Sequence, residues 1–240
     1  MQTPLQSYPV HFMIMAGGKG SRLSPLTDSI PKALLKINQV PIIERIVNHF
    51  QTFGIQDFII SVGHLGQQIK EHFAQTNTSI EFISEQQPLG SIGALRLIQN
   101  WKHKYVFIIN CDLLTDFDVH AFLQEFLDSG AELGIGTYQH QVKLPWGVIE
   151  KDINRQFIGI TEKPSLTFEI NAGIYVIERS LLTLIPESGP YEGWQFIATA
   201  AQAGHKISCI PIQGEWLDIG NFSDYEKAQQ TFVTTRTITF

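Results

Sequence analysis

His11-Phe12-Met13-Ile14-Met15-Ala16-Gly17-Gly18-Lys19-Gly20-Ser21-Arg22-Leu23 is a short apolar run that breaks into glycine. An apolar run of this length, stopped by Ala16-Gly17-Gly18, reads as a buried strand entering a glycine loop. Three glycines within four residues, Gly17, Gly18 and Gly20, let the backbone come close to a ligand and aim its N–H groups there. Arg22, and Lys32 in the following Pro31-Lys32-Ala33-Leu34, add positive charge on the same excursion. Such a loop suits a triphosphate, with Ala16, Gly17, Gly18 and Gly20 as its backbone cradle. Two better-known phosphate loops are excluded by spacing. A dinucleotide loop needs a third glycine where Leu23 stands, and a P-loop lysine is followed by Ser or Thr, whereas Lys19 is followed by Gly20.

Working outward, Ile42, Ile43, Ile46, Val47 and Phe50 recur at helical spacing after Pro41. Asp57 to Val62 predicts a strand, Leu65 to Phe73 an amphipathic helix, Ile80 to Ile83 a strand, Gly90 to Gln99 a helix and Tyr105 to Ile109 a central strand. Strands alternating with helices predict an α/β fold, a Rossmann-like mixed and mainly parallel sheet with helices on both faces. The second half changes texture. Leu133 to Tyr138, Gly147 to Glu150, Phe157 to Ile160 and Ala172 to Ile177 are strands set close together, which predicts a small antiparallel elaboration. Leu181 to Ile185 and Trp194 to Ala203 read as helices, Ile207 to Ile210 as a strand and Phe222 to Thr231 as a closing helix. The expectation is one continuous domain over 1–240. Its first half, about 11–130, faces a nucleotide, and its second half, about 131–240, supplies the acceptor pocket, with ligands outside the carboxyl ends of the strands.

Composition bounds the rest. The chain has 240 residues, 43% hydrophobic and 17% charged, ordinary for a globular protein able to bury a large core. Its net charge of −6 argues against nucleic acid as a partner but leaves room for a phosphate ligand held by a few placed cations. Cys111 and Cys209 both sit in apolar runs and read as buried thiols of a reducing compartment. Met1 to Val10 has neither a basic nor an apolar leader segment, and no apolar run approaches a membrane span. The expected location is therefore the cytoplasm, with no membrane partner. His64, His140 and His205 form no ligand spacing, so no zinc is assigned.

Asn110-Cys111-Asp112 ends an apolar strand, where a carboxylate is placed to hold a hard cation such as Mg²⁺ beside the phosphates. Asp116-Phe117-Asp118 matches the D-x-D of nucleotide-sugar glycosyltransferases, but a structural role is favoured, with Asp118 capping the next helix.

The string from Ala16 to Leu34, AGGKGSRLSPLTDSIPKAL, resembles the signature of the sugar-phosphate nucleotidyltransferases, or NDP-sugar pyrophosphorylases. The resemblance runs from Met13 to about Gln229 through further blocks. Trp216-Leu217-Asp218-Ile219-Gly220 matches the block whose Asp joins Asp112 as a ligand of the catalytic Mg²⁺. Cys111 stands where the family usually has Gly. Glu85-Gln86-Gln87-Pro88-Leu89-Gly90-Ser91-Ile92-Gly93-Ala94-Leu95 resembles the nucleobase-reading loop, in the form of the mannose or heptose 1-phosphate guanylyltransferases. This implies base contacts by Glu85, Pro88 and Gly90. Trp146-Gly147-Val148-Ile149-Glu150, Glu162-Lys163-Pro164 and Asn171-Ala172-Gly173-Ile174-Tyr175 resemble the acceptor blocks, which implies sugar-phosphate contacts by Gly147, Glu162, Lys163 and Asn171.

The resemblance thus implies an enzyme that takes an NTP, GTP favoured, and a sugar 1-phosphate, giving an NDP-sugar and pyrophosphate. Catalysis is expected to rest on Arg22, Lys32 and Asp112, with metal on Asp112 and Asp218. Other readings are a uridylyl- or thymidylyltransferase, a D-x-D glycosyltransferase, or a silent regulatory homologue, although the last should have lost Arg22, Lys32 or an Asp ligand. Dimers are common in the family, so a homo-oligomer is possible. The chain stops soon after the final block, so no fused acyltransferase repeat is expected.

Overall fold

A computed structural model describes residues 10–231 of the chain. Residues 1–9, the ground for expecting no leader, lie outside the described residues, as do 232–240. Elements follow in order as β1 (Val10–Ala16), β2 (Lys36–Ile37), β3 (Val40–Pro41), α1 (Ile42–Thr52), β4 (Asp57–Val62), α2 (Gly66–Phe73), β5 (Ser79–Ser84), β6 (Tyr105–Asn110), β7 (Leu113–Thr115) and α3 (Val119–Ser129). The second half adds β8 (Leu133–Lys143), β9 (Val148–Lys151), β10 (Phe157–Thr161), β11 (Ser165–Glu178), α4 (Gly193–Gln202), β12 (Ile207–Pro211), β13 (Trp216–Asp218) and α5 (Phe222–Thr231).

Among the described residues the main sheet has the order β12-β8-β11-β6-β1-β4-β5. All neighbouring pairs are parallel except those of β11, which runs antiparallel to both β6 and β8. The strands are apolar on both sides because both sides are covered. Phe12, Ile14 and Phe107 face a layer built from α1, α2, α3 and α5. Met13, Met15, Val106 and Ile108 face α4 and a 3₁₀ turn over Gly93–Leu97. Phe107 is fully buried at the centre of the first layer, with the rings of Phe12 and Phe50 each 5.4 Å away. The predicted mixed, mainly parallel α/β sheet with helices on both faces is thus the observed fold. No helix of the described residues is long and apolar enough to cross a membrane.

The antiparallel elaboration is an arm. β8 and β11 outrun the sheet, pairing from Asn171↔Thr137 out to Ser165↔Lys143, and their far halves are exposed. The chain between them folds into the β9–β10 ribbon.

Three expectations are corrected. Gly90 to Gln99 is not an α-helix. Gly90 has φ +78, and Leu89 and Ile92 bond to the backbone of Tyr191, so the chain is bent before a short 3₁₀ turn over Gly93–Leu97. Leu181 to Ile185 lies in another such turn, Arg179–Leu184. Cys209 is exposed rather than buried, because β12 is an edge strand on which Ile210, not Cys209, turns to the core; Cys111 is buried as expected.

Asp118 caps α3, its Oδ1 accepting from the amide of Ala121 at 2.9 Å. Asp118→Ala should cost about 1 kcal/mol of stability and lower the Tm by about 2–4 °C in a chain this size, with turnover unchanged. Calorimetry beside an activity assay checks both, and loss of turnover at intact fold would revive the D-x-D reading.

Candidate active site

β1, β4, β5 and β6 all point their carboxyl ends to one edge, and the chain after β1 folds along it. The backbone there is squeezed. A Cβ on Gly17 would overlap the Glu85 carboxyl, and a Cβ on Gly63 would stand 2.5 Å from the Gly17 carbonyl oxygen. At Gly63, where the neighbour is backbone, only glycine permits this approach, while at Gly17 the neighbour is the movable end of a side chain. Gly20 has φ +66, and its carbonyl accepts from the Leu23 amide and the Thr27 hydroxyl, each at 2.9 Å. Those bonds close the loop above Lys32. Gly18 faces open space.

The chain then delivers Lys32 to Asp112. Its Nζ donates to Asp112 Oδ2 at 2.5 Å, with the two side chains only 10% and 21% exposed. Asp112 follows β6, whose end is tied to β1 by the Cys111 amide on the Met15 carbonyl. Asp218 arrives on β13, which pairs with β7 so that Asp218 stands opposite Leu113 while the Ile219 amide bonds to the Asp112 carbonyl. Burial, then the charge of Asp112, pushes the Asp218 carboxyl up to about 6, while Lys32 and Arg22 pull the other way. The Oδ1 atoms of both aspartates are buried and take no hydrogen bond. Two orphaned, adjacent carboxylate oxygens fit a hard divalent cation, which accepts oxygen ligands and relieves such repulsion. Burial drives the neighbouring Cys111 thiol up to about 12, so it stays neutral.

On the other side of the loop, Glu85 follows β5. Its Oε2 accepts from the Leu89 amide at 3.2 Å, and burial raises its carboxyl above the ordinary range. A cleft of about 360 Å³ runs between this carboxylate and Asp112. Ala16, Gly17, Gly18, Gly20, Arg22, Lys32, Glu85, Pro88, Gly90 and Asp112 all line it, so the expected nucleotide residues meet in one place. Lining residues outside the expected set include Asn110, Ser91 and Glu192. Glu192 accepts from the Ser91 amide at 3.0 Å and forms a capping box with Gln195 at the start of α4. The E-x-x-Q spacing was the available signal.

The expected acceptor residues, Gly147, Glu162, Lys163 and Asn171, stand apart from that lining. Asn171 lies at the root of the arm, where a bulge separates it from Tyr175. Its Oδ1 accepts from the Gly173 amide and its Nδ2 donates to the Tyr175 hydroxyl. Gly173 comes so close to Asn110 that a Cβ there would meet Asn110 Nδ2 at 2.7 Å. Gly147 and Glu162 meet farther out, 2.7 Å separating a Cβ on Gly147 from Glu162 Oε2, and Lys163 holds a left-handed φ of 46. Trp216 links the two regions, stacking on Tyr138 of β8 at 5.1 Å and donating from Nε1 to the Ala172 carbonyl. Asp116 and Asp118 are spent elsewhere, on the amides of Glu215 and Ala121.

An α/β sheet with a glycine loop, two cations and two carboxylates along its carboxyl edge defines a nucleotide-handling class of protein. The family model described as nucleotidyl transferase matches residues 11–235, and the chain belongs to that family. It is 29% identical over 238 residues to a UTP–glucose-1-phosphate uridylyltransferase of Synechocystis sp., covering 90% of this chain and 61% of that protein. It is 28% identical over 227 residues to a mannose-1-phosphate guanyltransferase of Pichia angusta, covering 89% and 61%. The chain thus spans about three-fifths of the length of these curated relatives. Among solved structures, HddC from Yersinia pseudotuberculosis superposes with a TM-score of 0.72 at 24% identity, covering 93% of this chain and 99% of that one, a likeness of fold.

Gly17→Ala should leave the protein folded, because Glu85 can swing aside, yet block the closest approach of a phosphate. Titration calorimetry with a nucleoside triphosphate is expected to show affinity lower by at least about tenfold, or 1.4 kcal/mol. Unchanged affinity would remove the loop from the binding site.

Proposed function

We propose that this chain transfers a nucleoside monophosphate from an NTP to a sugar 1-phosphate, releasing pyrophosphate. The observation that carries the reading is the cleft in which the glycine loop, Lys32 and Arg22 meet the half-buried carboxylate of Asp112, with the charge of Asp218 behind it and an Oδ1 on each aspartate that takes no hydrogen bond. A sugar phosphate is already an anionic nucleophile at neutral pH, so the reaction needs no general base. Its obstacle is bringing two anions together in line. Magnesium, held by Asp112 and Asp218, would supply neutralisation of phosphate charge. The loop amides and Arg22 stabilise charge on the α-phosphate and departing pyrophosphate, with Lys32 released from Asp112 to join them. Asn171, at the root of the arm, and Glu162 and Lys163, farther out on it, receive the sugar phosphate. A cytoplasmic location follows from the substrates such a reaction consumes.

Guanine is the favoured base. A carboxylate offers acceptors only, and Glu85, which already accepts from the Leu89 amide and the Ser61 side chain, stands beside the loop. The Watson–Crick edge of guanine carries two adjacent N–H donors, whereas that of uracil or thymine sets one N–H between two carbonyls that a carboxylate repels. The relatives include both a uridylyl- and a guanylyltransferase, which keeps uridylyl transfer as the second reading. The glycosyltransferase reading loses support because Asp116 and Asp118 are engaged as backbone acceptors.

Pyrophosphate release is the direct test, with Mg²⁺ and a matrix of GTP, UTP, dTTP, CTP and ATP against mannose, heptose, glucose and glucosamine 1-phosphates. One productive pair, with GTP, is expected; silence of folded, NTP-binding protein points to another sugar, and failure to bind any NTP ends the reading. Asp112→Ala should abolish turnover at intact fold, so near-normal magnesium-dependent turnover in that variant removes the metal assignment. Glu85→Gln should cut the GTP-over-UTP preference by at least about tenfold, since one well-placed hydrogen-bond mismatch is worth ~1–3 kcal/mol.

A further inference from the structure

Lys32 occupies the carboxylate that a divalent cation needs. Its Nζ donates to Asp112 Oδ2, and among the described residues that oxygen is its one acceptor. The other oxygen of Asp112, Oδ1, and Oδ1 of Asp218 are both shut away from solvent and take no hydrogen bond. A hydrated ion approaching Asp112 therefore finds one oxygen filled and the other covered.

The lysine is held in that position by its own segment. It opens the 3₁₀ turn Lys32–Leu34 directly after the buried Pro31. Its stem passes so close to Gly20 that a Cβ there would stand 3.1 Å from Lys32 Cβ and 3.5 Å from Cδ. The two cations of the cleft thus differ in placement. Arg22 is exposed and faces incoming phosphate, whereas the Lys32 side chain lies inside, engaged with Asp112.

Charge sets the consequence. Arg22 and Lys32 balance Asp112 and Asp218, two charges against two. A divalent ion arriving alone adds positive charge to a balanced, part-buried cluster and leaves the Lys32 ammonium with no anion, and an uncompensated charge is the costliest thing to bury. A triphosphate arriving with the ion brings anionic oxygens that take over the ammonium in charge-assisted hydrogen bonds.

We propose that Lys32 is an internal counter-cation that closes Asp112 to free divalent ions, so that the two aspartates take up a metal only together with a nucleoside triphosphate. The proposal rests on the nucleotidyl-transfer reading and adds to it how the site is regulated. Without nucleotide, Lys32 keeps two neighbouring carboxylates together; with nucleotide, it is handed to phosphate and Asp112 is freed.

Mn²⁺ is the probe, read by water-proton relaxation enhancement, which reports protein-bound ion and needs no turnover. Wild type with Mn²⁺ alone should show no enhancement and should gain it when a non-hydrolysable analogue of GTP or UTP is added. Lys32→Met, shown to be folded by circular dichroism, should bind Mn²⁺ alone at least about tenfold more tightly than wild type, because a unit charge has been removed from beside the carboxylates. Lys32→Arg keeps the charge and should stay closed to free Mn²⁺. Adding Asp112→Asn to Lys32→Met should abolish the gain. Enhancement of wild type by Mn²⁺ alone overturns the proposal and leaves nucleotidyl transfer standing. A folded Lys32→Met that binds no more tightly than wild type does the same, as does a gain that survives Asp112→Asn. Wild type that binds neither analogue ends the nucleotidyl-transfer reading and the proposal with it. If Lys32→Met does not fold, the wild-type comparison with and without analogue decides on its own.

Discussion

Lys32 and Asp112 form an ion pair between a loop and a strand end that are 80 residues apart, and the site is arranged around it. Without Lys32, two carboxylates would face each other in a part-buried space, where repulsion is poorly screened. The lysine offsets that charge and in doing so dictates the path of the chain. The segment after β1 must turn back over the sheet edge to deliver Nζ, and Gly20, bonded through its carbonyl to Leu23 and Thr27, makes the turn while leaving room for the Lys32 stem. The same turn brings Gly17 against Gly63 and Glu85. Charge balance and close backbone approach are thus one constraint seen from two sides.

The rest of the molecule serves to hold this edge still. Packing on both faces of the sheet fixes where β1, β4, β5 and β6 end. β7 and β13 set Asp218 beside Asp112 by backbone pairing, which is more exact than side-chain contact alone. Trp216, one end of that short strand, is clamped by Tyr138 and the Ala172 carbonyl, so the strand that carries Asp218 and the strands of the arm share a brace.

Much of this was legible in the amino acids. The apolar runs at His11–Met15, Asp57–Val62 and Tyr105–Ile109 became strands because burial on both faces demands uninterrupted apolar residues. The glycine loop was readable because few physical needs place three glycines, an Arg and a Lys in that order. What failed did so for tertiary reasons. Gly90 sits in a left-handed conformation because Tyr191, a hundred positions away in the chain, bonds to the residues around it, and no local pattern encodes that partner. Cys209 looked buried because an edge strand has the same composition as a central one. The length of β8 was underestimated because its outer half, Gln139 to Lys143, is mostly polar, whereas Ser165 to Ile170 of β11 alternates polar and apolar residues and that signal was passed over. Glu192 carried a capping signal, but its place in the cleft depends on Ser91 across the fold.

The arm enters and leaves the sheet at one point, for Lys143 and Ser165 are paired neighbours. A segment whose two ends already touch adds little closure entropy when its length changes. Residues 144–164 therefore form an exchangeable cassette. Descent with modification can lengthen, shorten or rewrite it without disturbing β1, β6 or the Lys32–Asp112 pair.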